Sequence, residues 1–220
     1  VRNLTRNLLT LESLKIIERL SGANDQETDS LRTGRGFRLD PSIYPRYKSY
    51  SLHTPGGRRT LTQTERQLLR NLLRKEGCQE DILRIVDVGY ACRVYARLLI
   101  EREDERVTIG ARDFLKNNSE DSRWNCFVKA YFEDDGYVCS WYGVVERYLH
   151  VSLRGNISYL VACIRWAERT FESRYGVTYA KSSDTFGRLS FESIGCLRTT
   201  SLIGLLHRED QKRTYFIPQD

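Results

Sequence analysis

Residues 136–151 read GYVCSWYGVVERYLHV. Apolar and polar side chains alternate along this stretch, with four aromatic rings among them. A period of two marks a strand with one face buried. The preceding residues alternate as well, with Trp124, Cys126, Val128, Ala130 and Phe132 set against Asn125, Phe127, Lys129 and Tyr131. Between the two runs stands Glu133-Asp134-Asp135-Gly136, and an Asp-Gly pair tolerates the positive φ angles of a tight hairpin turn. The stretch is therefore the return arm of a hairpin. Its alternation points Tyr137, Cys139, Trp141, Val145, Leu149 and Val151 inward, and Tyr142, Val144, Glu146, Tyr148 and His150 outward. Gly143 breaks the row and is the expected place for a bulge.

The same period extends in both directions. After a turn at Arg154-Gly155-Asn156, ISYLVACIRW (157–166) contains an uninterrupted apolar run from Leu160 to Ile164. Both faces of that strand must be covered, which makes it central. Upstream, ILRIVDV (82–88), YACRVYARLLIE (90–101) and VTIGARDF (107–114) read as consecutive strands, the last two joined by a charged turn. Downstream, a polar connection (168–188) leads to LSFESIGCL, TTSLIGLL, the turn HREDQK and TYFIP. Short strands, frequent turns and few helices predict an α+β, mainly β chain: a small antiparallel barrel or curled sheet.

The N-terminal third differs. LLTLESLKIIERL (8–20) has an apolar stripe at helical spacing, and the following Gly-, Ser-, Asp- and Pro-rich residues read as an extended arm or linker. Thr62 and Glu65 form a capping box at the start of a helix, and Gly77 supplies its left-handed stop. Leu68, Leu69, Leu72 and Leu73 make one face of this helix, and Arg66, Arg70 and Arg74 repeat on another. Three segments result: an N-terminal helix and arm (1–57), a basic amphipathic helix (58–81) and a β domain (82–220).

Hydrophobic residues make up 40% of the 220, an ordinary globular content, and no apolar run approaches a membrane span. The first ten residues are too polar for a signal peptide, which predicts an intracellular protein without membrane contact. The chain begins at Val1 and contains no Met, as expected of a piece of a longer polypeptide. Its six cysteines form no C-x-x-C pair, so they read as free buried thiols rather than a zinc or redox motif. The triplets Asn3-Leu4-Thr5, Asn117-Asn118-Ser119 and Asn156-Ile157-Ser158 keep a secreted, disulfide-bonded alternative in second place. A net charge of +6 and a pI near 9.0 favour acidic partners such as nucleic acid or chromatin.

Four pieces in order carry a family resemblance: Gly143-Val144-Val145, Cys163-Ile164-Arg165-Trp166, Ile194-Gly195-Cys196-Leu197 and Tyr215-Phe216-Ile217. They resemble the strand order of bromo-adjacent-homology (BAH) domains, in which a "V-x-V-R-W-F" strand precedes a "pxxxIxGxxxV" segment and a "yyv" strand. Ala167-Glu168-Arg169-Thr170-Phe171 departs from the acidic signature that follows in many members. A looser likeness, through HTPGGRRTLTQTERQLL (53–69), residues 93–119 and residues 124–149, is to C-terminal regions of proteins encoded by CACTA (En/Spm-like) DNA transposons. Together they imply a BAH-like accessory module that contacts protein, chromatin or nucleic acid, beside a transposase core in the rest of a larger polypeptide.

Candidate sites follow from residue chemistry. Arg58, Arg59, Arg66, Arg70 and Arg74 form the densest cationic feature, suited to successive phosphates, against a plain reading as a solvated helix face. Arg35, Arg38, Arg46 and Lys48 alternate with Phe37, Tyr44, Tyr47 and Tyr50 in an arm that either orders on binding or packs on its own domain. Trp141, Tyr142, Trp166 and Phe171 can be drawn as an aromatic pocket for a methylated lysine, although Trp141 reads better as core. Tyr142 and Tyr148, on the outward face, complete the partner-binding set. Asp134, Asp135 and Glu146 are the weak case for a metal-dependent nuclease, set against a simple hairpin turn. His53, His150 and His207 have no nucleophile or metal spacing around them, and neither cofactor nor metal is called for.

Overall fold

A computed structural model describes residues 36–87, 90–114, 125–134, 137–153, 157–181 and 186–218. The chain divides into two units, Val1–Phe37 and Arg38–Asp220, and every element below belongs to the second. The helix expected over residues 8–20 lies outside the described residues.

The strands form two open antiparallel sheets rather than a barrel. The larger has seven: β1 (Tyr50–Thr60), β2 (Ala91–Arg102), β3 (Glu105–Gly110), β4 (Phe127–Asp134), β5 (Tyr137–Leu153), β6 (Ile157–Ala167) and β9 (Phe186–Ser193). Its main path runs β1-β2-β5-β6-β9, with β3 added on β2 and β4 on β5. The smaller sheet runs β10-β11-β8-β7, from β7 (Phe171–Glu172), β8 (Thr178–Lys181), β10 (Ile203–Arg208) and β11 (Arg213–Pro218). A single bridge, Val128 to Leu202, adds a backbone link between β4 and the start of β10.

Helix α1 (Gln63–Lys75) starts at the anticipated capping box: Glu65 N donates to Thr62 Oγ1 and Thr62 N donates to Glu65 Oε2. Its leucine face is buried with Cys92, Val94, Leu149, Val151, Val161 and Cys163, so the helix covers one face of the larger sheet. The strand expected over residues 82–88 is not formed: residues 82–87 belong instead to helix α2 (Glu80–Asp87). A short apolar run does not distinguish the two periods, and here Leu83 and Val86, three apart, join the α1 core while Glu80 and Asp81 favour the helix N-terminus.

The arm over residues 38–57 also differs from expectation. Its Pro55-Gly56-Gly57 sequence reads as a breaker, yet it lies inside β1, where pairing skips from Pro55–Tyr95 to Gly57–Val94. An edge strand tolerates a proline and a bulge because its outer N–H groups serve no ladder. The arm's aromatic residues pack on their own unit. Tyr47 is buried, Tyr50 Oη donates to Leu197 O, and Tyr44 Oη accepts from Ser158 N. The polar connection 168–188 contributes β7 and β8, short strands that pair with each other and join the sheet through β11, more than thirty residues beyond β8.

β5 decides the arrangement. Its first half pairs with β4 as the predicted hairpin, from Asp134–Tyr137 to Phe127–Val144, and its second half lies between β2 and β6. β6 is buried from Ser158 to Ile164, as the uninterrupted run required. The bulge sits at Glu146 rather than Gly143: one step on β6, Ile164 to Cys163, spans Val145 to Arg147 on β5. Beyond it the two rows exchange faces. Tyr148, expected to point out, is 0% exposed and donates to Ile109 O, whereas Trp141, expected in the core, is 52% exposed on the projecting half.

Gly143 serves close packing instead. A Cβ there would stand 2.7 Å from Ile164 Cγ2, 2.8 Å from Trp166 Cε3 and 2.9 Å from the Arg165 carbonyl oxygen. The carbonyl belongs to the paired backbone and cannot retreat. Gly143→Ala is expected to cost about 1–3 kcal/mol in chemical denaturation; an unchanged midpoint would show that β6 yields there.

Candidate binding surfaces

Two buried carboxylates organise the charged residues. Glu146, 3% exposed, receives Arg112 Nε at 3.1 Å on Oε2 and Arg165 Nε at 2.8 Å on Oε1. Arg165 also donates through Nη1 to Gly187 O at 2.8 Å, so this clamp reaches β9. Glu65 is the second centre, with Arg59 Nη2 at 2.8 Å and 2.9 Å from its two oxygens and Arg147 Nη1 at 3.4 Å. Arg147 Nε lies 2.8 Å from Asp113 Oδ2, a charge contact off the N–H direction. Burial, and then the neighbouring Glu146, raise the Asp113 carboxyl above its ordinary range.

This arrangement dissolves the nuclease set. Glu146 already has its oxygens on guanidinium groups, and about 30 Å of extended strand separates it from the hairpin turn at ~3.3 Å per residue. Asp135 lies outside the described residues, as does the side chain of Asp134. Among the described residues no three His, Cys, Asp or Glu side chains group as metal ligands. The histidines stand apart, each beside a hydroxyl: His53 near Ser51, His150 near Ser158 and His207 near Thr214.

The arginine stripe is largely turned to carboxylates. Arg59 is held by Glu65, Arg70 Nη2 lies 3.2 Å from Glu80 Oε1, and Arg74 is 4.0 Å from Glu80 Oε2. Arg58 is exposed on β1 and Arg66 is half-buried on α1. Sequence spacing puts Arg66, Arg70 and Arg74 along α1, but it reveals neither that Arg58 and Arg59 lie on β1 nor that α2 brings Glu80 beside Arg70 and Arg74.

The four rings drawn as a pocket fall into separate packings. Trp166 is buried, donates from Nε1 to Ser190 Oγ at 2.6 Å, and meets Trp141 and Phe132 edge to face. Tyr142 stacks on Phe216 at 4.7 Å between centroids. Phe171 stacks on Tyr179 at 5.6 Å in the smaller sheet, beneath Lys181 Nζ at 4.9 Å from its centroid. A methyl-lysine has no shared cage among these rings, and Tyr148 is in the core.

The outer face of the smaller sheet carries a surface that the sequence reading passed over. Its inner side chains, Phe216 and Ala180, pack with Cys126, Phe127, Val144 and Ile203. Opposite them, the register sets Leu206, Tyr215, Tyr179 and Phe171 side by side across the four strands. The next register row holds Arg208, Arg213 and Lys181. Tyr179 and Tyr215 are 5.5 Å apart, and Arg213 lies over Tyr179 at 4.6 Å. An open groove of about 860 Å³ on this face is lined by Tyr179, Tyr215, Leu206 and Arg213, together with Arg174 and Tyr175. Alternation in RTYFIP and VTYAK was the available signal, but it names no face until β8 is paired with β11.

No helix among the described residues is long and apolar enough to cross a membrane. Compared with protein-family models, curated proteins and solved structures, the chain matches none of them.

Removing Glu146 takes away the one carboxylate that both Arg112 and Arg165 contact. Glu146→Ala is expected to cost about 2–3 kcal/mol in urea denaturation, below the ~3–5 of a fully buried pair because both arginines retain some water access. A loss under ~0.5 kcal/mol would mean the clamp is not a fold constraint. All six cysteines are free thiols, and burial raises Cys92 to about 12 and Cys126 to about 11, while Cys139 is exposed. Alkylation of the native chain at pH 8, read by peptide mass spectrometry, is expected to modify Cys139 first and to spare Cys92 and Cys126 until denaturant is added.

Proposed function

We propose that this chain is a non-catalytic binding module for an acidic partner, a protein or chromatin with sequence-independent nucleic-acid contacts, taken on the outer face of its smaller sheet. The observation that carries the reading is the pair of adjacent rows, rings on β11, β8 and β7 and cations on β10, β11 and β8. Rings left on an outer sheet face, with basic side chains resting on them, make a recognition surface: they contribute nothing to the core behind them, and their cations favour an anionic ligand. The same cations disfavour a lysine-bearing ligand.

The wider setting belongs to the same proposal: a BAH-like accessory domain of a transposon-derived polypeptide, acting in the nucleus beside a catalytic core elsewhere in the protein. Its support is the order of the matching pieces, on β5, on β6, in the turn Ile194–Cys196 after β9, and on β11. The competing reading, a nucleic-acid-binding domain centred on Arg66, Arg70 and Arg74, draws on the exposure of Arg74 and Arg58. Glu80 beside Arg70 and Arg74 weakens it.

Charge reversal separates the two. Mononucleosomes and fluorescein-labelled polyglutamate are titrated with the chain at low salt, followed by anisotropy. The double variant Arg213→Glu/Lys181→Glu is expected to lose at least tenfold in affinity for a bound probe, and Arg70→Glu/Arg74→Glu to stay within about twofold. The opposite pattern would move the binding surface to α1.

A further inference from the structure

We infer that the acidic partner of this face is a single-stranded nucleic acid, lying across the β-strands from β7 towards β10; the inference rests on the binding-module reading above. The geometry that points to it is the separation of two chemistries into parallel rows. Phe171, Tyr179 and Tyr215 continue one another at 5.6 Å and 5.5 Å between centroids, one ring per strand. Lys181 and Arg213 pair directly across β8 and β11 and form the adjacent row, two residues along each strand. A single strand has the same division, with flat bases on one side of a chain of phosphates. Stacking platforms beside a cationic track are how proteins hold single strands without reading sequence.

The alternatives fit less well. An acidic peptide would use the cations, but nothing in it calls for a run of rings at nearly constant spacing. A duplex would reach the cations and leave the rings idle, because its bases are already stacked on each other. Arg208 is held bidentately by Asp210, at 3.0 Å and 2.9 Å, so it marks the end of the cationic row. Arg213 and Lys181 instead rest on Tyr179 and Phe171. Their long side chains shield the rings in the free protein. When a base arrives, each cation moves from the ring face to a phosphate, exchanging a cation–π contact for an ion pair while the base takes the vacated ring. Tyr175, exposed under Arg174 at 4.6 Å, repeats the pairing in the lining of the groove.

The test uses the full chain and fluorescein-labelled probes, dT10, U10, a twenty-base-pair duplex and polyglutamate, followed by anisotropy over a range of salt. Either single strand is expected to bind at least tenfold tighter than the duplex and polyglutamate. The slope of log affinity against log salt should be about −1.4, for two phosphate contacts at ~0.7 each. Tyr179→Leu and Tyr215→Leu keep an apolar strand residue without a ring, and each is expected to weaken single-strand binding by about ten- to hundredfold with thermal melting little changed. Arg213→Ala/Lys181→Ala should flatten the salt slope. Equal affinity for duplex and single strand, insensitive to the tyrosine changes, would overturn the inference. So would polyglutamate bound as tightly as the oligonucleotides, although the module reading would then stand. Binding of no probe, with mononucleosomes also silent, would remove both.

Discussion

Glu146 occupies the bulge of β5 with its carboxylate out of water, and two guanidinium groups hold it there. Burying a carboxylate costs several kcal/mol unless its lone pairs are taken, so the bulge is compatible only with Arg112 and Arg165 in place. These come from the turn after β3 and from β6, and Arg165 continues to the backbone of β9. The adjacent Arg147 serves the other carboxylate, Glu65 at the N-terminus of α1. One irregular step in one strand thereby joins the helix cap, the turn and three strands of the larger sheet.

The bulge also permits β5 to serve two cores. Before it, Tyr142 and Val144 belong with Phe127 and Phe216 under the smaller sheet; after it, Leu149, Val151 and Leu153 lie under α1 and α2. An unbroken alternation would have sent Tyr148 to the outer row and left Glu146 without its clamp. The smaller sheet packs its inner face on the first of these cores and needs no cover on the other. Its outer row of rings therefore lies away from both cores, whereas Arg70 and Arg74 of α1 face Glu80 of α2.

Much of the local structure was legible in the sequence. The capping box at Thr62 and Glu65, the leucine face of α1, the β4–β5 hairpin and the doubly covered β6 each depend on neighbours in the chain or on one period, and each stands where the pattern puts it. The misreadings have particular causes. Residues 80–87 carry an apolar run too short to separate a helix from a strand. Pro55-Gly56-Gly57 resembles a break but is a bulge at an edge. β7 and β8 are so short that only their cross-strand partners define them. In the candidate site, Phe171 stands out in the sequence by its ring alone, while Tyr179 and Tyr215 carry no local signal because they become neighbours only through the pairing of β8 with β11.

By itself, then, the sequence determined the periods, the caps and turns, the basic balance and the mainly β character, since all of these follow from side chains within a few residues of one another. Tertiary structure alone decided which side of each strand faces water. In β5 that choice turned on one residue outside the register, Glu146, whose position depends on arginines thirty-four residues before it and nineteen after it. It decided as well that the rings of β7, β8 and β11 form one row, because register between distant strands is set by the packing of their inner faces.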